Sequence, residues 1–398
     1  MRILLALNSL GIGGTETYVL TVAEHLDRLA HEPVVYSPQL GPGVEVARER
    51  GLSVIGPGEL SKDFDAALVQ DAAVAYEVAE LCPGARSVFV AHSESFDPQS
   101  PPQLPGTVDL QVALNDRVAR RLRRFAAAGE VVRLRQPIDT ERFLAPGPLP
   151  ERPGRALLLS NNLVADRGAM LEEACREAGL ELVRAGGGGR QTTDPREALS
   201  AADVVIGYGR AVLEAMACGR AAFVYDWSGG EGWVTAETYP AIEADGFAGR
   251  GEAVFDGSGL AGALKEYDRS MGPVNRDLIV AHHRANEHAQ QLVEIFERIA
   301  PSKGRPDAPL ADMARLVRLE WRARAEVHGL RVENARLHTE LNDRGEEILS
   351  AREDLLRSQQ RLGDTIGSYE ATLSWRLTKP LRRLTAAVSG RSGSVGKR

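Results

Sequence analysis

The chain has 398 residues, of which 43% are hydrophobic and 26% are charged, the composition of a globular protein with room for two domains and a further segment. A net charge of −7 argues against nucleic-acid binding by the molecule as a whole. The three cysteines, Cys82, Cys175 and Cys218, are widely spaced and odd in number, which predicts reduced thiols and a cytoplasmic protein.

The first 144 residues alternate short apolar runs with longer amphipathic segments. The opening run is broken by Asn8 and Ser9 and lacks a basic region, so it is predicted to be a buried strand, not a signal peptide or a membrane span. Helices are predicted over residues 15–30 and 115–129, the second with Asn115 as its cap. The predicted strands are RILLAL (2–7), PVVYS (33–37), AALVQ (66–70), SVFVAH (87–92), LQVAL (110–114) and VVRLR (131–135).

The pattern restarts after a segment rich in proline and glycine, LAPGPLPERPG (144–154), which marks a linker over residues 145–154. A helical segment is predicted over residues 275–300. Alternation of strands and helices predicts parallel sheets with helices on both faces, and therefore two doubly wound α/β domains, 1–144 and 155–305. The strands predicted in the second domain are ALLLS (156–160), LELVRAG (180–186), ADVVIG (202–207) and AAFVYD (221–226).

Residues 306–374 contain few glycines or prolines and many charges, and their apolar residues recur at heptad spacing, which predicts a long α-helical coiled coil. Asn334 falls at a core position where a polar residue fixes the register and favours a parallel dimer, whereas Arg344 weakens another core position. The alternative is a long helix packed on its own domain. The core positions are Leu316, Ala323, Val327, Leu330, Leu337, Leu341, Ile348, Leu355, Leu362 and Tyr369.

Two glycine turns precede segments that carry candidate binding residues. In LGIGGTET (10–17), Gly13 and Gly14 allow close approach of a ligand, and the following helix offers unpaired N–H groups to phosphate. The spacing is not the G-x-G-x-x-G dinucleotide fingerprint. In GYGRAVLEAMACG (207–219), the residues around Glu214 are too apolar for a solvent-exposed face, so this carboxylate is a candidate binding group.

Together with FVAHS (89–93), RQPIDTERF (135–143) and NNLVADRG (161–168), these turns resemble the retaining glycosyltransferases of family 4 over about residues 1–300. That family has the GT-B fold, in which two Rossmann-like domains face a cleft. The most specific part of the match is EAMACG after a short glycine turn. RQPIDTERF matches the family segment at Asp139 and Phe143, but it has Gln-Pro where the family has Asn-Gly.

The resemblance implies a site for a nucleotide-diphosphate sugar as donor substrate, with no metal and no other cofactor. Gly13 and Gly14 would face the diphosphate or the transferred sugar. His92 would point into the cleft near the sugar and the acceptor, and it is the candidate catalytic residue. Asn162 and Arg167 fall on the two cations of the family's phosphate clamp, so that one cation is replaced by an amide.

The second glycine turn carries the rest of the implied donor site. The backbone of Tyr208, Gly209 and Arg210 would donate to the phosphates, and the Arg210 side chain is a candidate replacement for the missing cation. Glu214 would accept hydrogen bonds from both ribose hydroxyls, which requires a two-oxygen acceptor. The family's other glutamate falls on Ile206, which indicates either an altered sugar pocket or an inactive site.

The resemblance implies a hexosyltransferase-like enzyme that acts with retention on a glycan or lipid-linked acceptor in bacterial cell-surface polysaccharide assembly. The acceptor would contact a loop such as residues 93–106. The alternative is a non-catalytic scaffold of a polysaccharide-assembly complex, in which Ile206 and Asn162 mark a decayed site. A third possibility is a nucleotide-sugar epimerase of the same architecture, which would not need a membrane-directed tail.

The last residues, 375–398, form a basic tail, since residues 376–398 contain seven Lys or Arg and no acid. SWRLTKPLRRL (374–384) resembles a motif that follows coiled coils in bacterial polysaccharide glycosyltransferases. Its mixture of leucines and cations suits peripheral contact with an anionic membrane at the inner, cytoplasmic face, and the alternative is a disordered tail. The expected partners are a nucleotide sugar, the acceptor and a second copy of the chain, with no nucleic acid.

Overall fold

The computed structural model describes residues 1–92, 99–125, 129–160, 165–186, 194–226, 229–250, 255, 257–300 and 305–389. The chain divides into two compact units, Met1–Trp321 and Arg322–Arg398. Among the described residues, no helix has both the length and the apolar character needed to cross a membrane.

The first 133 residues contribute a seven-stranded sheet and a small two-stranded pair. Their strands are β1 (Arg2–Ala6), β2 (Ser9–Leu10), β3 (Glu32–Tyr36), β4 (Gln39–Leu40), β5 (Ser53–Ile55), β6 (Ala66–Val69), β7 (Arg86–Ala91), β8 (Leu110–Ala113) and β9 (Val131–Arg133). The large sheet is parallel throughout, in the order β5-β3-β1-β6-β7-β8-β9. Its central strands are buried on both faces, which explains their continuous apolar runs.

Helices cover both faces of this sheet, and a separate hydrophobic cluster lies on each face. The helices are α1 (Gly14–Arg28), α2 (Gly43–Glu49), α3 (Ala72–Leu81) and α4 (Asp116–Leu122). Asn115 caps α4 as predicted, because its Oδ1 accepts a hydrogen bond from the Val118 N–H at 2.8 Å. The helix is shorter than predicted, and repulsion among the arginines of residues 120–124 opposes its continuation.

The second sheet has five strands, β10 (Arg155–Leu159), β11 (Glu181–Ala185), β12 (Val204–Gly207), β13 (Ala221–Asp226) and β14 (Gly229–Trp233), in the order β11-β10-β12-β13-β14. The first four are parallel, and β14 is antiparallel to β13. Its hydrophobic clusters also lie on two faces. The helices that follow are α5 (Ala165–Glu177), α6 (Arg196–Ser200), α7 (Arg210–Ala217), α8 (Tyr239–Asp245) and α9 (Gly257–Leu264).

The segment predicted as one helix over residues 275–300 is two helices, α10 (Met271–His282) and α11 (Ala285–Arg298). The break forms where the chain meets Ile138, whose N–H donates to the His283 carbonyl at 2.7 Å while its carbonyl accepts from the Ala285 N–H at 3.1 Å. After the break, α11 buries Leu292 and Phe296 in the core of the first sheet. The chain therefore returns to the first domain before residue 300.

The remaining helices are α12 (Leu310–Ala371), α13 (Leu373–Leu377) and α14 (Lys379–Ser389). In the unit Met1–Trp321, the first turns of α12 pack Leu310 and Ala314 against Tyr76 of α3. In the unit Arg322–Arg398, the large apolar heptad residues lie at the surface, with exposed fractions from 45% at Leu337 to 68% at Ile348. The long helix has the length of the predicted coiled coil, and its pairing remains a prediction.

Candidate active site

A cleft of about 390 Å³ lies between the carboxyl ends of the two sheets, the position at which doubly wound folds bind ligands. The first domain contributes Gly14, which comes after β1 and the short strand β2, and His92, which follows β7. The second contributes the Tyr208, Gly209 and Arg210 turn, which follows β12. The cleft therefore brings together five of the residues predicted from the sequence. Gly13, Arg167 and Glu214 do not line it, and Asn162 lies outside the described residues.

The turn before α1 shows why two adjacent glycines differ in role. A Cβ on Gly13 would lie 2.7 Å from Glu16 Oε2, whereas a Cβ on Gly14 would meet no heavy atom within 4 Å. Gly13 thus makes room for a carboxylate of its own helix, and Gly14 faces open space in the cleft. Burial raises the pKa of Glu16, a residue that the sequence analysis did not identify.

His92 is held as a neutral imidazole. Its Nε2 lies 2.6 Å from Gln70 Oε1, and the Gln70 amide nitrogen donates to the Leu68 carbonyl at 3.4 Å, which assigns the oxygen to the histidine side. The Nε2–H therefore donates to Gln70, and Nδ1 is the acceptor of the ring. Burial, with smaller contributions from Arg210 and His288, lowers the pKa of His92 to about 3.

The glycine turn after β12 places a cation beneath the cleft. Gly209 has φ 57°, a left-handed conformation that favours glycine, and it has no side chain to cap α7, so the first N–H groups of α7 are available to a ligand. Arg210 then donates from Nε to Glu214 Oε1 at 2.7 Å, from Nη1 to the Pro137 carbonyl at 3.0 Å and from Nη2 to Thr21 Oγ1 at 3.3 Å.

Glu214 is 6% exposed, and its carboxylate is paired with Arg210. Burial raises the pKa of this carboxyl group, and Arg210 opposes the rise. Ile206 is fully buried in the core of the second sheet, so its side chain does not line the cleft. A glutamate at this position would place a charge in that core, which gives the isoleucine a packing role.

Arg167 contacts the end of β13 instead of the cleft. Its Nη1 donates to the Asp226 carbonyl at 3.3 Å, and its guanidinium carbon lies 6.0 Å from the centre of the Tyr225 ring. The Asp226 carboxylate is fully buried, and both of its oxygens lie 3.0 Å from Ser160 Oγ. Ser160 itself lines the cleft, so this serine and aspartate support its wall.

The opposite wall contains two residues that the sequence analysis did not assign to a site, Asn115 and Arg117 of α4. Gly246 has φ 79° and packs so closely on Asn115 that a Cβ would lie 2.2 Å from its Nδ2. Arg117 Nε lies 3.4 Å from Asp245 Oδ1 on the second domain. Asn115, the capping residue of α4, thus also contacts the second domain. The ion pair between Arg117 and Asp245 is a second contact between the two domains.

Two histidines bind the crossing segment to both domains. His288 Nδ1 lies 2.9 Å from the Arg135 carbonyl, and its Nε2 lies 2.9 Å from the Tyr18 hydroxyl. His283 makes the equivalent pair of contacts, with the Gln136 carbonyl at 2.8 Å and the Tyr239 hydroxyl at 2.9 Å. Burial lowers the pKa of His288 to about 4 and that of His283 to about 3, so both rings are neutral acceptors for tyrosine.

No group of three or more histidine, cysteine, aspartate or glutamate residues that could hold a metal ion occurs in the described part of the chain. The polar groups of the cleft are a neutral histidine, amides, hydroxyls and arginines. This set can bind an anionic ligand and its hydroxyl groups.

No protein-family model and no curated protein matches the chain. Among solved structures, it is similar to HepE (Alr3699) from Anabaena in complex with UDP and glucose, with 12% identity over 75% of this chain and 99% of that chain and a TM-score of 0.54. It is also similar to an alpha-glucosyltransferase in complex with UDP and a 13-mer DNA containing a HMU base, with 11% identity over 75% of this chain and 100% of that chain and a TM-score of 0.54. The expected fold, two doubly wound domains of GT-B type, is confirmed, and a long helix follows it.

Proposed function

We propose that the chain transfers a sugar from a nucleotide-diphosphate sugar to an acceptor, with retention and without a metal. The observation that carries the proposal is the glycine turn at Gly209, which opens into α7 beside the cation of Arg210, across the cleft from His92. A helix N-terminus with a neighbouring guanidinium is suited to a diphosphate. Solved structures of HepE contain UDP or UDP-glucose, which supports the same donor class here.

In this proposal, Gly14 and the backbone of Tyr208, Gly209 and Arg210 bind the diphosphate, and His92 accepts a hydrogen bond from the sugar or the acceptor at Nδ1. The donor-binding roles that the family resemblance gives to Asn162, Arg167 and Gly13 stay part of the proposal, although Arg167 and Gly13 do not line the cleft in this structure. The departing diphosphate would help to deprotonate the acceptor.

Glu214 is proposed to receive the ribose while it stays paired with Arg210. A carboxylate has two oxygens with about four lone-pair positions, and Arg210 Nε uses one of them, on Oε1. Oε2 therefore remains an acceptor for a hydroxyl. Arg210 would then act on two parts of the nucleotide. It would contact the diphosphate directly, and it would position the ribose through its ion pair with Glu214.

Thermal unfolding of the full chain with five nucleoside diphosphates and their glucose conjugates tests the donor site. A ligand at about 100 times its Kd adds about 2.7 kcal/mol to the free energy of unfolding, so the true donor raises Tm by several degrees. Arg210→Gln is expected to remove that shift. Arg269→Gln, which breaks an exposed ion pair with Glu151, is the matched control and should keep it.

Measurements of sugar transfer then test retention and metal independence separately. Nuclear magnetic resonance of the product anomer tests retention, and transfer in the presence of a chelator tests metal independence. If no diphosphate stabilises the native chain, the donor site is refuted. If a diphosphate binds but no acceptor receives sugar, the non-catalytic scaffold is favoured. The buried carboxylate of Glu214, which is paired with Arg210, supports that alternative.

The C-terminal helices fit a role in cell-surface polysaccharide assembly at the inner face of the membrane. The apolar heptad residues of α12 are exposed in the single chain, and we assign them to a parallel homodimer. In α14, Leu381 and Leu384 are more than 60% exposed, and the basic residues Lys379, Arg382 and Arg383 surround them, as in an interfacial helix. Light scattering of Leu341→Asp should show a monomer where the native chain is a dimer. Flotation with anionic vesicles should require α14.

A further inference from the structure

A second cavity, of about 390 Å³, lies beside the cleft and is lined by Arg117, Arg120, Arg121, Arg124 and Phe125. Arg117 also lines the cleft, so the two cavities share a wall. We call this second cavity the arginine pocket. All of its residues come from α4 and the turn that follows it.

The charge of the arginine pocket is only partly balanced. Arg117 is 3.4 Å from the Asp245 carboxylate, and Arg121 donates to Ser100 Oγ at 3.0 Å. Arg120 and Arg124 are exposed, and neither forms an ion pair with a residue in the described ranges of the chain. Four guanidinium groups on one small cavity repel each other, and an anion with several oxygens would relieve the repulsion through paired hydrogen bonds.

A third cavity, of about 250 Å³, continues from Phe125, which lines both it and the arginine pocket. Its apolar walls are Ala72 and Tyr76 of α3, Pro101, and Val317 in the first turns of α12, and we call it the apolar slot. The Tyr76 hydroxyl accepts from the Gln103 N–H at 2.9 Å, which fixes one wall of the slot. Ser100, Gln103 and Glu320 complete its lining.

The three cavities follow one another in the order cleft, arginine pocket and apolar slot. We infer that the acceptor is an amphiphile with a phosphate group, whose hydroxyl enters the cleft, whose phosphate binds the arginine pocket and whose apolar chain lies in the apolar slot. The inference rests on the proposed function, because it names the acceptor of the same transfer. The arginine fork favours phosphate, and the adjoining apolar walls favour a chain attached to it.

Calorimetric titration of the full chain with octyl phosphate, butyl phosphate, inorganic phosphate and octyl glucoside tests this order of cavities. Octyl phosphate is expected to bind at least tenfold more tightly than inorganic phosphate or octyl glucoside, with butyl phosphate between them. Arg120→Gln and Arg124→Gln should each weaken octyl phosphate at least fivefold at low salt. Arg123→Gln removes the same charge from an exposed residue of the same run that does not line the pocket, and it should change the affinity less than twofold.

Equal losses in all three variants would show a general charge effect and overturn the pocket. Inorganic phosphate that binds as tightly as octyl phosphate would overturn the amphiphile and leave a soluble phosphate. Uridine diphosphate is titrated in the same samples. Arg120→Gln and Arg124→Gln should bind it with the affinity of the native chain. If the chain binds octyl phosphate but no nucleotide, the proposed function is refuted and the amphiphile site is still supported.

Discussion

Acid should weaken the fold through its buried histidines, and His288 allows the effect to be measured for one ring. Its imidazole bonds the Arg135 carbonyl and the Tyr18 hydroxyl, and burial lowers its pKa from 6.5 to about 4. Below pH 6.5 the unfolded chain takes up a proton that the folded chain does not accept until about pH 4. Stability is therefore complete above pH 6.5 and falls as the pH drops through this window.

The magnitude follows from proton linkage. Each proton changes the free energy of unfolding by about 1.36 kcal/mol per pH unit, so His288 alone should cost about 2 kcal/mol between pH 7 and pH 4.5. His288→Asn keeps an amide donor for the Arg135 carbonyl but leaves the Tyr18 hydroxyl without its acceptor. It should lower stability by about 1–3 kcal/mol at pH 7. Because the asparagine does not titrate, most of that difference should disappear by pH 4.5.

Guanidinium unfolding at pH 7, 6, 5 and 4.5, followed by circular dichroism, gives the required free energies. His328→Asn, at an exposed position of α12, is the control, and its curve should parallel that of the native chain. A stability difference between His288→Asn and the native chain that stays constant from pH 7 to pH 4.5 would refute the reasoning. It would mean that the ring takes up a proton in the folded chain as readily as in the unfolded chain.

Other predictions concern the geometry of the cleft. Gln70→Leu should lower the sugar-transfer rate about tenfold with little change in diphosphate affinity, because His92 loses the group that fixes its tautomer; rates and calorimetric Kd values of one preparation check this. Gly246→Ala should cost about 1–3 kcal/mol of unfolding free energy, through its positive φ and its contact with Asn115. Gly262→Ala, at a helical glycine with no atom within 4 Å of a Cβ, should leave stability unchanged or raise it slightly, as thermal unfolding would show.

The buried strands were the most predictable part of the fold. Their apolar runs have no helical period, and AAFVYD coincides with β13 at residues 221–226. The antiparallel strand β14 was not predicted, because its sequence GGEGW contains three glycines and lacks the β-branched residues that mark strands. The break before α11 was also missed, since the helical pattern runs through His283. It results from pairing with Ile138, which is 145 residues away and which no local pattern reveals.

The candidate site was predictable where residues directly follow strands. The carboxyl ends of parallel strands meet at one edge of a sheet, so the turn at Gly14, the turn at Gly209 and His92 converge on the cleft. Contacts between side chains could not be predicted in this way. The hydrogen bond that His92 donates to Gln70 depends on the position of β6 beside β7 in the sheet. The arginine run after Asn115 was a visible signal, but only the structure shows that it lines a cavity.

Arg210 links the donor site to the arrangement of the two domains, because one guanidinium contacts Thr21 of the first domain, Glu214 of the second and the Pro137 carbonyl, which follows β9. Arg210→Lys keeps the charge but loses the fork of donors, so it can satisfy at most part of this set. We expect it to weaken diphosphate binding less than Arg210→Gln does. Both variants should speed amide hydrogen exchange at Ile138, whose N–H bonds the chain where it returns to the first domain. If exchange at Ile138 stays at the native rate while diphosphate affinity falls, Arg210 serves the donor site alone, and the link between nucleotide binding and domain arrangement is refuted.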